Sequence, residues 1–578
     1  MPFLQNNQKT LALSMVAGTL LGAALLLSGG TSVKEAYIIQ GHDMTTVMAA
    51  VLDVGGEATH ELGIINAVSA QLDFHQLALL KEQDIVRRVY GNGPIAVAGK
   101  PDKSGGGSGG GDNSGDNGTA DSVLETHYPT LVNADAVHGM GLDGAGIGIA
   151  VLDTGLWKHD GIALDSAGQV RIKAAYNAIA DVFIRKPLNG GDLGGHGTHV
   201  TSIAVSSQLT DTGNYNGIAP GAHLVSVMAF DQNGQGTYAD VIRAIDWVVT
   251  NKSKYKIRVL NLSFSAEPRS HYWDDPINQA VMVAWQNEIF VVAAAGNRGS
   301  DPMTIGVPGN VPYVMTVGAM TDSFTPADGS DDVLASFSSA GPTYEGFVKP
   351  EVVAPGGHIL GLMDTDAQLA IDYPDFYYGG KYFEMSGTSQ ATAVVAGIAA
   401  LALQAEPWRS VDELKCKIMS ASRPAVKVDG SLAYSVLQQG AGLVDAYAAV
   451  TNQNVDCANR GLHIDNDIDG FQHFGGRANL QADGSYYLMG LEGYLWSDGY
   501  LWSDGYLWSD GYLWSDGYLW SDAYLWTDGV GVDGYLWSDG YLWSDGYLWS
   551  DGYLWSDGYL WSDSLTEMTS MSTWVDPE

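Results

Sequence analysis

The chain has 578 residues, 46% of them hydrophobic and only 16% charged, a balance that suits globular structure, while the length calls for several modules rather than one core. Its 28 Lys and Arg stand against 66 Asp and Glu, for a net charge of −38. Nucleic acid and anionic membrane would repel so acidic a surface, and no basic patch is visible in the sequence, so both are poor partners and nucleic acid is not expected.

At the N-terminus Lys9 precedes an uncharged run of apolar and small residues over 11–27, closed by Ser28-Gly29-Gly30, with no charge until Lys34. The pattern predicts a secretory signal peptide over 1–30 and hence a secreted protein. The alternative is an uncleaved anchor, but the run stands near the spanning minimum of about 17 residues and its small flanking residues favour cleavage. No Cys follows it, which argues against a lipoprotein. The two cysteines, Cys416 and Cys457, are 41 positions apart; export would permit pairing, but the spacing leaves paired and free states open.

Residues 31–100 read as a compact α+β unit: the strand-like AYIIQ, helical stretches near 45–54 and 74–81, then the β-rich IVRRVYG and PIAVAG. Residues 101–121, rich in Gly, Ser, Asn and Asp, cannot bury a core and predict a flexible linker. Over 122–452, apolar β-runs (IGIAVLDTG, HLVSVMAF, RVLNLSFS, IFVVAAAGN, YVMTVGAM) alternate with helical segments such as TYADVIRAIDWVVTN. Strands that are apolar throughout, alternating with helices, predict an α/β fold with a parallel sheet flanked by helices. A polar connecting segment is expected over 453–493.

From Tyr494 the hexapeptide YLWSDG recurs, with a VGVDG interruption at 530–534, for eleven copies over 494–563; a short tail, 564–578, follows. Eleven of the seventeen tryptophans lie in this array, and no Lys or Arg follows Arg477. In an extended copy Tyr and Trp project to one side and Leu and Ser to the other. The rows of aromatic rings suit a face that binds a cell surface or polymer, a surface that binds itself, or a disordered sticky tract. Repeat expansion with no specific ligand is the plainest alternative.

Three segments carry groups suited to nucleophilic hydrolysis. IAVLDTG ends an apolar strand on Asp153, a carboxylate that needs hydrogen-bond donors, for instance from a histidine, if buried. GGHGTHV flanks His196 with glycines. SGTS places Ser389 at the start of a long apolar helix, where free N–H groups and the positive dipole end lie beside its hydroxyl. Singly, these residues read as a turn Asp, half of a His196/His199 metal pair and an N-cap serine. No HExxH pattern or third His or Cys ligand accompanies the histidines, so no metal is assigned. Between the last two motifs, VVAAAGN ends in Asn297, whose amide suits an oxyanion donor together with the Ser389 N–H.

VLDTG, GHGTHV, AAGN and SGTS resemble the Asp, His, Asn and Ser signatures of the subtilase family of subtilisin-like serine peptidases, in that family's order. The resemblance spans residues 123–450 and implies that Asp153 orients His196, His196 is general base and then acid, Ser389 is the nucleophile and Asn297 stabilises the oxyanion. It further implies that Ser263, Phe264 and Ser265 in NLSFS form a substrate-binding strand, and that Ala294, Ala295 and Gly296 wall a specificity pocket, both binding peptide as an added strand. Departures are Gln390 and Ala393, where the family often has Met and Pro, and Thr201-Ser202 in place of Ala-Gly. Residues 31–100 resemble the family's ferredoxin-like inhibitory propeptide, which places maturation between Ala98 and about Asp121. No cofactor is required; structural calcium is an expectation of the resemblance alone, since no DxDxDG series is present. The expected activity is that of a secreted, autoprocessed serine endopeptidase acting on proteins or peptides. The contrasting expectation is a surface adhesive protein with a vestigial protease domain, but no catalytic group is missing.

Overall fold

The computed structural model describes residues 33–97, 123–184, 191–325, 329–379, 381–428, 430–480 and 485–488, with the backbone of 524–526. The expected signal peptide, linker and tail, the cut region from Ala98 to Asp121, and the array apart from that one backbone stretch lie outside the described residues.

The N-terminal unit runs β1 (Glu35–Gly41), α1 (Met44–Asp53), β2 (Glu57–Leu62), β3 (Ala67–Leu72), α2 (Phe74–Lys81) and β4 (Val86–Gly91). Its four antiparallel strands take the order β2-β3-β1-β4, the ferredoxin-like arrangement. Local chemistry fixes the helix starts. Asp73 and Gln76 form a reciprocal capping box on α2, and Asp43 caps α1. Ile39, Val47, Val51, Val68, Leu72 and Leu80 form a core of the unit's own. A short strand, β5 (Pro94–Ala96), leaves the unit.

The second unit is built on β6 (Gly148–Asp153), β7 (Ile172–Asn177), α3 (His196–Val205), β8 (His223–Met228), β9 (Gln235–Thr237), α4 (Tyr238–Tyr255), β10 (Ile257–Leu262), α5 (Pro276–Gln286), β11 (Phe290–Ala294), β12 (Met315–Thr321), β13 (Val352–Pro355) and α6 (Thr388–Ala405). Strands β7, β8, β6, β10, β11, β12 and β13 lie side by side in that order, every neighbouring pair parallel. All six residues of β6 are buried, as a sheet covered on both faces requires. Helix α3 packs with α6, and α4 with α5. By length and hydropathy α6 resembles a membrane span, yet 89% of that window is buried inside the protein. Its apolar character serves the core.

The segment read as a polar connector is packed instead. Residues 453–480 and 485–488 carry α7 (Ile464–Ile468), β14 (His473–Gly475), β15 (Ala478–Leu480) and β16 (Tyr486–Leu488) against the second unit. Cys416 and Cys457 are paired, with Cα atoms 5.2 Å apart. The Asp467 carboxylate, 2% exposed, accepts hydrogen bonds from the hydroxyls of Tyr272 at 2.5 Å and Tyr313 at 3.0 Å and lies 2.7 Å from His473 Nδ1. Polar composition hid this packing because the buried groups are themselves polar and satisfied by one another. One array copy, Tyr524–Trp526, runs antiparallel to β14.

Candidate active site

The four signature residues lie where the parallel sheet puts them. Strands β6, β10 and β11 end on or just before Asp153, Ser263 and Asn297, while His196 and Ser389 open α3 and α6, which collects them at the carboxyl edge of the sheet. Asp153 and His196 are each 1% exposed. Asp153 Oδ1 lies 2.7 Å from His196 Nδ1 and also accepts the Thr154 N–H at 2.8 Å. An acceptor-only carboxylate at Nδ1 fixes the proton there and makes Nε2 the basic nitrogen.

The glycines beside His196 have separate reasons. Gly195 holds φ at 95° as the residue before α3, a conformation that suits glycine. At Gly197 an added Cβ would meet the Gly155 carbonyl oxygen at 2.5 Å. The start of α3 is satisfied by a residue the sequence motifs did not single out. Buried Asp192 accepts from the N–H groups of Gly195 and Thr198 at 2.8 and 2.7 Å and from the hydroxyls of Thr154 and Thr198 at 2.8 and 2.6 Å. One carboxylate thus ties the Asp153 turn to the His196 helix. Its only sequence signal is an acidic residue three places before Gly195, the spacing of a capping turn.

Ser389 and the NLSFS strand hold each other. The Ser389 hydroxyl donates to the Ser263 carbonyl at 3.0 Å, the Ser263 hydroxyl donates to the Ser389 carbonyl at 3.0 Å, and Asn261 Nδ2 donates to the Ser263 hydroxyl at 2.8 Å. Asn297 Oδ1 accepts from the Thr388 N–H at 3.0 Å and its hydroxyl at 2.9 Å. Anchoring the oxygen turns the Asn297 NH₂ group away from Thr388. Ala294, Ala295 and Gly296 continue β11 toward it, and all three are buried.

His199 takes no part in a metal pair. It is fully buried, its Nε2 lies 2.9 Å from the Phe383 carbonyl and 3.2 Å from the Ile359 carbonyl, and burial draws its pKa down to about 4. Gln390 Nε2 donates to its Nδ1 at 3.4 Å, which gives the departure from Met a local reason. Ser202, another departure, bridges α3 to the neighbouring strand, accepting the Leu362 N–H at 2.8 Å and donating to the His199 carbonyl at 2.7 Å. Nothing in the structure explains Ala393. As for the calcium implied by resemblance, the described residues contain no group of three or more His, Cys, Asp or Glu side chains set to hold an ion, so they do not fit a carboxylate-built site.

The stretch from β5 to Val97 lies in the cleft. β5 pairs antiparallel with β9, with Ile95 opposite Gly236; the Val97 N–H donates to the Gly234 carbonyl at 3.1 Å, and Val97 bridges antiparallel to Phe264. Ile95 is 3% exposed. A cavity of about 160 Å³ lies beside Val97, lined by Thr154, Gly194, His196 and Tyr373 among others. A chain strand thus occupies both rims, next to the histidine.

The subtilase family model matches residues 144–452. Serine protease AprX of Bacillus subtilis is 36% identical over 321 residues, covering 55% of this chain and 69% of its own length. Subtilisin DY of Bacillus licheniformis is 30% identical over 321 residues, covering 55% and 96%. Among solved structures, fervidolysin from Fervidobacterium pennivorans, a keratinolytic enzyme related to subtilisin, aligns with a TM-score of 0.57 at 22% identity over 80% of this chain and 68% of its own, a likeness of fold. The chain belongs to the subtilase family and is a subtilisin-like serine protease.

Proposed function

We propose that the chain is a secreted serine endopeptidase, made as a zymogen, that cleaves peptide bonds through an acyl-enzyme on Ser389. The observation that carries this reading is the Asp153–His196 contact at 2.7 Å, together with a Ser389 hydroxyl bonded to the strand that bridges to Val97.

Ser389 Oγ attacks the carbonyl carbon of a bound peptide while His196 Nε2 takes its proton, and Asp153 holds the resulting imidazolium. The carbonyl oxygen gains negative charge toward the Asn297 NH₂ and the Ser389 N–H at the start of α6. Because Thr388 already holds the Asn297 oxygen, the amide needs no rearrangement; one such donor contributes about 3 kcal/mol in sites of this kind. His196 then protonates the departing amine, and water activated by the same nitrogen releases the acyl group.

The N-terminal unit is read as the inhibitory propeptide. Val97 bridges antiparallel to Phe264, and the same register carried one residue further would set its partner opposite Ser263, whose carbonyl accepts the Ser389 hydroxyl. The maturation bond predicted from that register is Ala98–Gly99. The run over residues 11–27 supports export.

The test is casein turnover by the purified chain beside Ser389→Ala, with both masses followed. The parent is expected to digest casein and shed 98 residues or fewer, according to whether the signal peptide has gone. Ser389→Ala is expected to keep its mass and lose more than about 10⁴-fold in rate. Equal behaviour of the two would remove the reading and turn attention to the array.

A further inference from the structure

The NLSFS strand carries a side chain that limits what the cleft admits. Along an extended strand alternate residues share a face, so Ser263 and Ser265 project together. The Ser263 hydroxyl bonds the Ser389 carbonyl, so that face looks toward the nucleophile. A peptide in the register of residues 94–97 sets opposite Ser263 the residue that supplies the scissile carbonyl (P1). Residues directly opposite in an antiparallel pair project to the same face, so the P1 side chain enters the space that Ser265 also enters.

That space is closed by two glycines. A Cβ built on Gly306 would lie 1.9 Å from Ser265 Oγ, and one built on Gly296 would lie 2.8 Å from the same oxygen and 3.0 Å from Ser339 Oγ. The Ser265 hydroxyl therefore sits against both backbones at once, across the gap between them. Neither backbone is free to withdraw. Gly306 N–H donates to the Ala295 carbonyl at 3.0 Å, Ala266 and Val307 exchange hydrogen bonds of 2.9 and 2.8 Å, and Ser339 N–H donates to the Gly296 carbonyl at 3.0 Å. A side chain longer than a methyl or hydroxymethyl group would have to displace the hydroxyl or spread a bonded frame.

We propose that Ser265 is the specificity-determining residue of this protease, its side chain filling the slot between Gly296 and Gly306 so that cleavage follows glycine, alanine or serine. The inference rests on the endopeptidase reading above. The chain's own sequence agrees, since Ala98 follows Val97.

The test uses the processed full chain, its Ser265→Gly and Ser265→Ala variants, and two peptides identical but for Ala or Phe at P1. The parent is expected to favour the alanine peptide in kcat/KM by about 30-fold or more, and Ser265→Gly to narrow that preference by about tenfold through a faster phenylalanine reaction. Ser265→Ala, which keeps Cβ and loses Oγ, should fall between. A parent without preference, an unchanged ratio in Ser265→Gly, or a ratio that narrows only because alanine turnover collapses would each overturn the proposal. Casein separates the two ways to fail. A parent that digests casein without discriminating at P1 loses only the Ser265 assignment, whereas one no better than Ser389→Ala loses the activity and the assignment together.

Discussion

Two segments outside the catalytic sheet rest on the same helix, α5, and are held to it by different chemistry. The N-terminal unit touches it through Gln40, whose Nε2 donates to Gln279 Oε1 at 2.7 Å; elsewhere it relies on Arg88 paired with Asp274, His60 Nε2 at 3.1 Å from Asp240, and Asn92 accepting the Ala239 N–H. Ile38, Leu62, Ile65 and Tyr90 add apolar contact. Water could replace each polar partner were the unit to leave, and its own core would go with it. The C-terminal segment touches α5 through Gln286 and Asp465 at 2.6 Å, but it is also secured by a disulfide and by buried polar groups that water cannot reach. Lys415 Nζ, for instance, bonds Asn459 Oδ1 at 3.0 Å and the carbonyls of Pro312 and Tyr313 at 2.9 and 3.1 Å. One segment is held by contacts that water can replace, as the proposed propeptide role requires, and the other by a covalent bond and buried pairs.

The largest blow to that contrast is covalent. Replacing both Cys416 and Cys457 with serine opens a loop of 41 residues, a loss of about 4 kcal/mol in the chain-entropy account. Denaturant titration should record it, and limited proteolysis should then cut within 453–488 while 35–91 is unaffected. A change confined to the N-terminal unit would invert the assignment.

A second difference shows with pH. Lys349, Glu351 and Lys415 are all buried, with Glu351 Oε1 2.6 Å from Lys349 Nζ and 2.8 Å from Lys415 Nζ. Two ammonium groups share one carboxylate, and burial, with Lys415 adding to it against the pull of Glu351, brings the Lys349 pKa down to about 7. The unfolded chain keeps that proton to about pH 10.4, so it binds more protons than the native state between the two values. Stability should therefore rise from pH 7 toward pH 10, most clearly in Ser389→Ala to avoid self-digestion, and Lys349→Met should flatten the rise. A fall over that window in the parent would contradict the arrangement.

The smallest effect belongs to the N-terminal unit. Burial pushes the Asp240 carboxyl up, but hydrogen bonds from His60 and Thr237 outweigh it and hold its pKa below the usual value. The His60 part exists only while the unit is docked, so its contribution is present above about pH 4 and lost as pH falls through the lowered pKa. His60→Ala should weaken inhibition by residues 33–98 added in trans by about 1 kcal/mol, or about fivefold. Inhibition constants across pH 3–7 check both the size and the direction.

Much of this was legible in the sequence because the chemistry sits where strands stop and helices start. Asp153, His196, Asn297 and Ser389 each adjoin an apolar run with its own period, and the alternation of runs fixed a parallel sheet. Asp192 was not legible, since its four donors come from two loops and a helix end joined only by folding. Nor was the plugging role of Ser265, which depends on how closely Gly296 and Gly306 approach a strand far from them in the chain. Residues 453–488 read as a connector because hydropathy does not register burial of groups such as Asp467 and Asn459, whose partners include Tyr272 and Tyr313, more than a hundred residues away.

The strand at residues 94–97 bonds to both rims of the cleft, and this has a kinetic consequence. Under the zymogen reading proposed above, cutting the chain beyond Val97 would leave that strand seated, so the first turnover would yield a blocked molecule rather than a working one. Free enzyme would then arise by destroying the seated strand in other molecules. Activity in a fresh preparation should follow a sigmoidal time course, with a lag that shortens when a trace of mature enzyme is added and lengthens on dilution.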